Sequence, residues 1–149
     1  MIEQTACWPS KGITLNVVDI PFIHYIEMEE KSSQLSLEYK NSVLNHVRTI
    51  HAAAQFALAE TQSGIHLQNL FPELEGKVLP IIRDGQIKYK KPAKGKIFAF
   101  SSTEEEEVDR FESRLAKRGR VSLQIRVEIR DIDCILISEA IFTWFVQML

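Results

Sequence analysis

Glu60 is the residue best placed to do chemistry. It follows the run Ala57-Leu58-Ala59, in a stretch dominated by alanine and leucine. A carboxylate carried into apolar surroundings without a partner is costly to keep charged, so it either pairs or takes up a proton. Desolvation raises its pKa toward the range useful to a general base. The local pattern taken alone favours a plainer placement, with Glu60 on a wet helix stripe beside Thr61, Gln62 and Ser63. Asn45 and His51 flank the start of the same stretch. First-turn N–H groups of a helix have no intrahelical partner and point at whatever lies beyond. The amide of Ala52, and after it that of Ala53, is therefore a candidate donor to a developing oxyanion, assisted by the positive end of the helix dipole. Asn45 would then orient a substrate or an attacking water, and His51 would bond the same turn. Equally, Asn45 can be a turn former and His51 a packing residue that satisfies local backbone.

A basic cluster is the second feature. Lys88, Lys90, Lys91, Lys94 and Lys96 fall within nine positions, with Arg83 upstream. Such a run is commonly a solvated edge that blunts unwanted strand pairing, and it also suits an anchor for a phosphate-bearing ligand. Other chemistries find no pattern. No nucleophile-elbow sequence accompanies a Ser-His-Asp set, and His24, His46 and His66 lack metal-ligand spacing. Cys7 and Cys134 are far apart and read as two reduced thiols rather than a disulfide.

The totals agree with an ordinary globular chain. It has 149 residues, 45% hydrophobic and 26% charged, with a formal net charge of −2. That length suits one domain, residues 1–149, and the charge gives no reason to expect nucleic-acid binding. Met1 to Ser10 contains Glu3 and lacks the basic-then-apolar order of a signal peptide. No apolar run approaches the roughly 20 residues a membrane span needs. A cytoplasmic protein is the expectation.

The elements that would position these residues follow from periodicity. Ile13 to Tyr25 suggests a short helix or turn around Pro21. Tyr25 to Glu30 and Gln34 to Tyr39 read as two strands, with Lys31, Ser32 and Ser33 between them. Thr49 to about Leu70 is the clearest helix, with Thr49 as its expected N-cap. Apolar residues cover every side of its first three turns, the mark of a helix buried all round. Lys77 to Tyr89, Lys96 to Ser101, Val121 to Ile129 and Cys134 to Leu149 are strands. Val121, Leu123, Ile125, Val127 and Ile129 alternate cleanly with polar neighbours. Glu104 to Lys117 is a surface helix with acids at its start, Arg114, Lys117 and Arg118 near its end, and Gly119 as C-cap. Strands grouped around one buried helix argue an α+β fold with an antiparallel sheet of about six strands. The last strand is apolar on both faces, which points to a subunit interface.

Asn45 to Gly64 reads NHVRTIHAAAQFALAETQSG, and Asn45, Thr49, His51, Leu58, Ala59, Glu60 and Gly64 fall at matching positions of the central-helix motif of hot-dog acyl-CoA thioesterases. The chain resembles the phenylacetate-pathway-type branch and its uncharacterised relatives. A second match is Tyr89, Pro92, Ala93 and Gly95 in YKKPAKG. Arg48 departs from the motif, standing where the family usually has glycine, and Ala52 and Ala53 replace the glycines after the histidine. The resemblance implies a hot-dog fold, a long central helix wrapped by the sheet, in a homodimer or homotetramer with sites at subunit interfaces. It turns the balance for Glu60 from wet stripe to water activation or direct attack on a thioester. Ala52 then becomes the oxyanion donor. Arg48, Thr49 and Ala53 shape the substrate site, and Lys90, Lys91 and Lys94 hold the phosphates of coenzyme A. Coenzyme A enters as part of the substrate, and no metal or other cofactor is implied. The alternatives are a non-catalytic acyl-CoA-binding module, favoured by Arg48, Ala52 and Ala53, and a hot-dog dehydratase or hydratase.

Overall fold

The computed structural model describes residues 16–149. The expectations for Met1 to Ser10, for Cys7 and for residues 13–15 of the first apolar stretch lie outside the described residues.

Asn16 accepts the Val18 N–H on its side chain and opens a 3-10 turn, Val17–Asp19. Pro21 then begins helix α1 (Pro21–Tyr25), where its missing N–H leaves no helical bond unmade. Because Tyr25 is helical, strand β1 (Glu29–Lys31) is shorter than expected and starts later. It pairs with β2 (Gln34–Leu37) through Ser32 and Ser33, both at positive φ, as a right-twisting two-residue hairpin requires.

Helix α2 (Ala52–Leu70) runs through the centre. After it come β3 (Val78–Tyr89), β4 (Ile97–Ser102), helix α3 (Glu105–Arg118), β5 (Arg120–Asp131) and β6 (Leu136–Met148). The six strands form one antiparallel sheet in the order β1-β2-β4-β5-β6-β3. This is the α+β arrangement expected from the sequence. β3 is an edge strand twelve residues long, paired only with β6 among the described residues and broken by a bulge at Arg83.

The concave face of the sheet grips α2. From β5, Leu123, Ile125, Val127 and Ile129 are completely buried or nearly so, together with Leu35, Leu37, Ile97 and Phe142 from neighbouring strands. Leu58, Ala59 and Ile65 meet them from the helix. Burying such side chains supplies about 1.5–3 kcal/mol each. At Gly85 on β3 a side chain would collide with the rings of Phe142 and Phe56.

α3 turns its Phe111 and Leu115 inward. Phe111 stacks on Phe71, just beyond the end of α2, with ring centroids 4.0 Å apart. Acids in its first turn, Lys117 and Arg118 in its last, and Gly119 in the left-handed region as C-cap all match the expected polarity. On β6, Ala140, Phe142 and Val146 are buried against the helix side, while Ile141 is exposed on the outer face. Phe145, also on that face, is covered within the chain by the Arg83 guanidinium, 3.8 Å from its ring centroid.

Candidate active site

The N-cap of α2 is His51 and not Thr49, so the helix begins at Ala52. The His51 ring accepts the Ala53 N–H on Nδ1 at 2.9 Å. This bond satisfies one orphan donor of the first turn. Thr49 is instead occupied upstream. Its hydroxyl accepts from the Asn45 side-chain amide at 2.8 Å, and its backbone N–H donates to Asn45 Oδ1 at 3.0 Å. Asn45 Oδ1 also accepts the Val47 N–H at 3.1 Å, so the Asn45 side chain organises its own loop. Within that loop Arg48 sits at φ +63° and is exposed, in the left-handed region that glycine adopts without penalty.

The YKKPAKG segment clamps this loop and the helix start. Ile50 N–H donates to Ala93 O at 2.9 Å, and Ala93 is fully buried. Tyr89 Oη donates to Ala52 O at 3.0 Å. The two sequence motifs therefore meet in space. Among the described residues the Ala52 N–H has no hydrogen-bond acceptor, so it stays available at the exposed end of the helix. The Ala53 N–H is already taken.

The expected burial on every side of the first three turns fails at the first turn, where Ala52 and Ala53 are exposed because the helix end projects beyond the sheet's cover. Beyond it one stripe stays partly open. Phe56, Glu60 and Gly64 recur one turn apart and are half-buried. Burial pushes the Glu60 carboxyl above its ordinary 4.5, outweighing the opposite pull of the neighbouring Thr61. No cation pairs with it among the described residues. Thr61, Gln62 and Ser63, which a wet stripe would expose, are instead buried. Each has a specific partner. Thr61 donates to Ala57 O at 2.7 Å, and Gln62 accepts the Leu35 N–H at 2.8 Å. Ser63 Oγ donates to Glu60 O at 2.6 Å and accepts Trp144 Nε1–H at 2.9 Å.

These pegs went unread in the sequence, together with Gln55, whose Oε1 accepts from Ser138 at 3.0 Å, and His66, which bridges Ser101 at 3.1 Å and Thr103 at 2.9 Å. The signal for them was the recurrence of amides at positions 55 and 62, two turns apart in an alanine-rich helix. Burial lowers the His66 pKa. Its second ring nitrogen meets a hydroxyl and not a carboxylate, so Ser101 and His66 do not form a nucleophilic triad.

Of the lysines, Lys90 pairs with Glu139 at 3.3 Å, and Lys96 bridges Glu29 and Glu38 at 3.3 and 2.7 Å. Lys91 and Lys94 are exposed. Tyr89, which precedes Lys90 and Lys91, reaches the Ala52 carbonyl in the first turn of α2.

A family model described as a domain of unknown function, DUF4442, matches residues 21–146. The chain belongs to the DUF4442 family. No curated protein matches it. Among solved structures, this DUF4442 chain resembles a Pseudomonas aeruginosa protein of unknown function described as a "probable thioesterase", at 20% identity over 87% of this chain and 89% of that one, TM-score 0.76. It also resembles a thioesterase enzyme from Staphylococcus aureus at 18% identity over 85% and 98% of the chains, TM-score 0.65. A Bacillus halodurans protein solved with CoA matches at 15% identity over 81% and 72%, TM-score 0.64. The DUF4442 chain thus has the hot-dog fold, one long central helix in a six-stranded antiparallel sheet. No described helix is long and apolar enough to cross a membrane.

Proposed function

We propose that this DUF4442 protein hydrolyses acyl-CoA-type thioesters, with Glu60 as general base or nucleophile. One observation carries the reading. Glu60 is a carboxyl group without a cationic partner among the described residues, its pKa raised by burial, on the half-open stripe of a helix whose middle turns are otherwise largely enclosed. Such a group can take a proton from water or attack a carbonyl at neutral pH. The named thioesterase and the CoA-bound protein among the fold relatives support the substrate class.

The Ala52 N–H is the proposed oxyanion donor, with the helix dipole behind it. Asn45, Thr49 and His51 act through the loop and cap that hold this amide in place, and Arg48 and Ala53 border it. Lys91 and Lys94, with Lys90, offer charge for the phosphates of coenzyme A at the same end of the helix. Coenzyme A is part of the substrate, and the reading needs no metal or further cofactor.

Ala52 and Glu60 are eight positions apart, about 12 Å along the helix axis. A glutamate side chain does not span that distance, so the two groups of one chain cannot act on one carbonyl. A second copy related by a two-fold axis, its α2 antiparallel, brings Glu60 of one protomer beside Ala52 of the other. The long β3 edge is a natural seam for such a homodimer, and two such dimers form a homotetramer within the same reading. A cytoplasmic setting belongs to it as well.

The test is Glu60→Gln assayed on a panel of acyl-CoAs. A loss of at least about 100-fold in kcat with the fold retained is expected for removal of a general base. Unchanged turnover by the folded variant removes Glu60 from the reaction. Tight binding of acyl-CoA without hydrolysis by the unaltered protein would favour an acyl-binding module instead.

A further inference from the structure

The stripe that carries Glu60 is bounded by aromatic rings one turn away on either side. Phe56 lies one turn toward the N-terminus. Its ring meets Phe142 edge to face, with centroids 5.4 Å apart at an interplanar angle of 75°. One turn toward the C-terminus, the Trp144 ring packs beside Gly64. A Cβ built on Gly64 would lie 3.5 and 3.7 Å from two carbons of that ring. The indole is fixed in position, because Nε1–H donates to Ser63 Oγ, which in turn donates to Glu60 O. Phe142 and Trp144 share one face of β6, two residues apart.

The strand opposite offers no more space. Gly85 on β3 pairs with Phe142, and a Cβ there would come within 2.9 Å of the Phe142 ring and 3.1 Å of Phe56. The gap between helix and sheet beside Glu60 is therefore filled by three rings and strand backbone.

The geometry points to a short limit on the acyl group. This rests on the hydrolase reading above. A carbonyl presented to Glu60 places its acyl substituent against Phe56 and Trp144, whose rings close the gap between helix and sheet to a fatty chain. Trp144 is the specificity-determining residue, held at its angle by Ser63. The rings favour compact, apolar groups, whose flat faces can pack edge to face against them.

The experiment measures kcat/KM of the full chain on acetyl-, butyryl-, benzoyl-, octanoyl- and palmitoyl-CoA. The unaltered protein is expected to prefer the first three over the last two. Trp144→Ala should raise the octanoyl-to-butyryl ratio about tenfold or more, the scale set by a change of pocket size in hydrophobic discrimination. Gly64→Ala, whose new methyl makes ordinary contact with the indole and which should fold well, should lower that ratio. A purely structural role for Trp144 would lower stability and leave both ratios where they were. Equal turnover of palmitoyl- and butyryl-CoA by the unaltered protein overturns the size limit and leaves the hydrolase reading standing. If no acyl-CoA is turned over, the hydrolase reading fails. Calorimetric binding of S-alkyl-CoA thioethers then decides the size limit on its own. Preference for the short thioethers upholds it, and equal affinity across lengths, or no binding, overturns it.

Discussion

Tyr89, at the end of β3, donates its hydroxyl hydrogen to the carbonyl of Ala52, the first residue of α2, over 3.0 Å. Thirty-seven positions separate the two residues. The bond ties the basic segment to the amide end of the helix. Tyr89→Phe keeps the ring and removes the donor. A hydrogen bond at this degree of exposure contributes about 0.5–1.5 kcal/mol. The variant should lose about 1 kcal/mol in urea unfolding, as a lower midpoint at unchanged slope. An unchanged midpoint would show that water replaces the bond at no cost.

Arg48 holds a positive φ of 63° on an exposed loop. A side chain in this region costs about 1 kcal/mol that glycine avoids, although glycine also gives the unfolded chain more freedom. Arg48→Gly should therefore be neutral to stabilising, by up to about 1 kcal/mol, where an average surface replacement by glycine destabilises. A thermal midpoint clearly below that of the parent would mean that the arginine makes a contact worth more than the strain.

Gly85 faces the opposite constraint, one of space and not of φ. Its added Cβ would meet rings of Phe142 and Phe56 at 2.9 and 3.1 Å. Phe142 is fully buried and cannot swing aside freely. Gly85→Ala should destabilise by about 1–3 kcal/mol, the usual cost of overpacking. Retained stability would show that the edge strand shifts outward to accept the methyl.

Glu60 makes the fold pH-dependent in a definite direction. Its folded pKa is above the ordinary 4.5 because burial disfavours the charge. Below pH 4.5 the group is protonated in both states and contributes nothing. As pH rises from 4.5 through the raised folded value, the unfolded chain ionises first and stability falls. Above that value the loss is constant. Glu60→Gln removes the penalty, so the variant should exceed the parent in stability at pH 7, with the advantage fading as pH drops toward 4. Denaturation curves at the two pH values check this. An equal difference at both would assign the change to something other than ionisation.

Much of this was legible in the residues themselves. The alternation at Val121 to Ile129, the capped and polarised α3, and an alanine-rich helix with no dry-to-wet stripe wide enough for a surface element together specify one buried rod and a sheet around it. Those patterns are local, and each follows from a periodicity of 2 or 3.6. The N-cap of α2 falls two residues beyond the expected Thr49, at His51, because both can cap. The choice between them was made by Asn45, which claims the threonine hydroxyl, and by the loop's clamp on Ala93.

The sequence by itself determined that Glu60 lies in a helix of alanines and leucines and that Arg48 stands where the resembling family usually has glycine; the left-handed backbone there came from the structure. Only the tertiary structure decided that Thr61, Gln62 and Ser63 turn inward while Glu60 stays on the open stripe, with Phe56 and Trp144 on either side. The reason is physical. A helix repeat fixes which residues share a face, but which face is covered depends on partners brought from strands dozens of residues away. Ser138 beside Gln55, the Leu35 amide beside Gln62 and the Trp144 indole beside Ser63 satisfy buried polar groups that no local pattern could have placed.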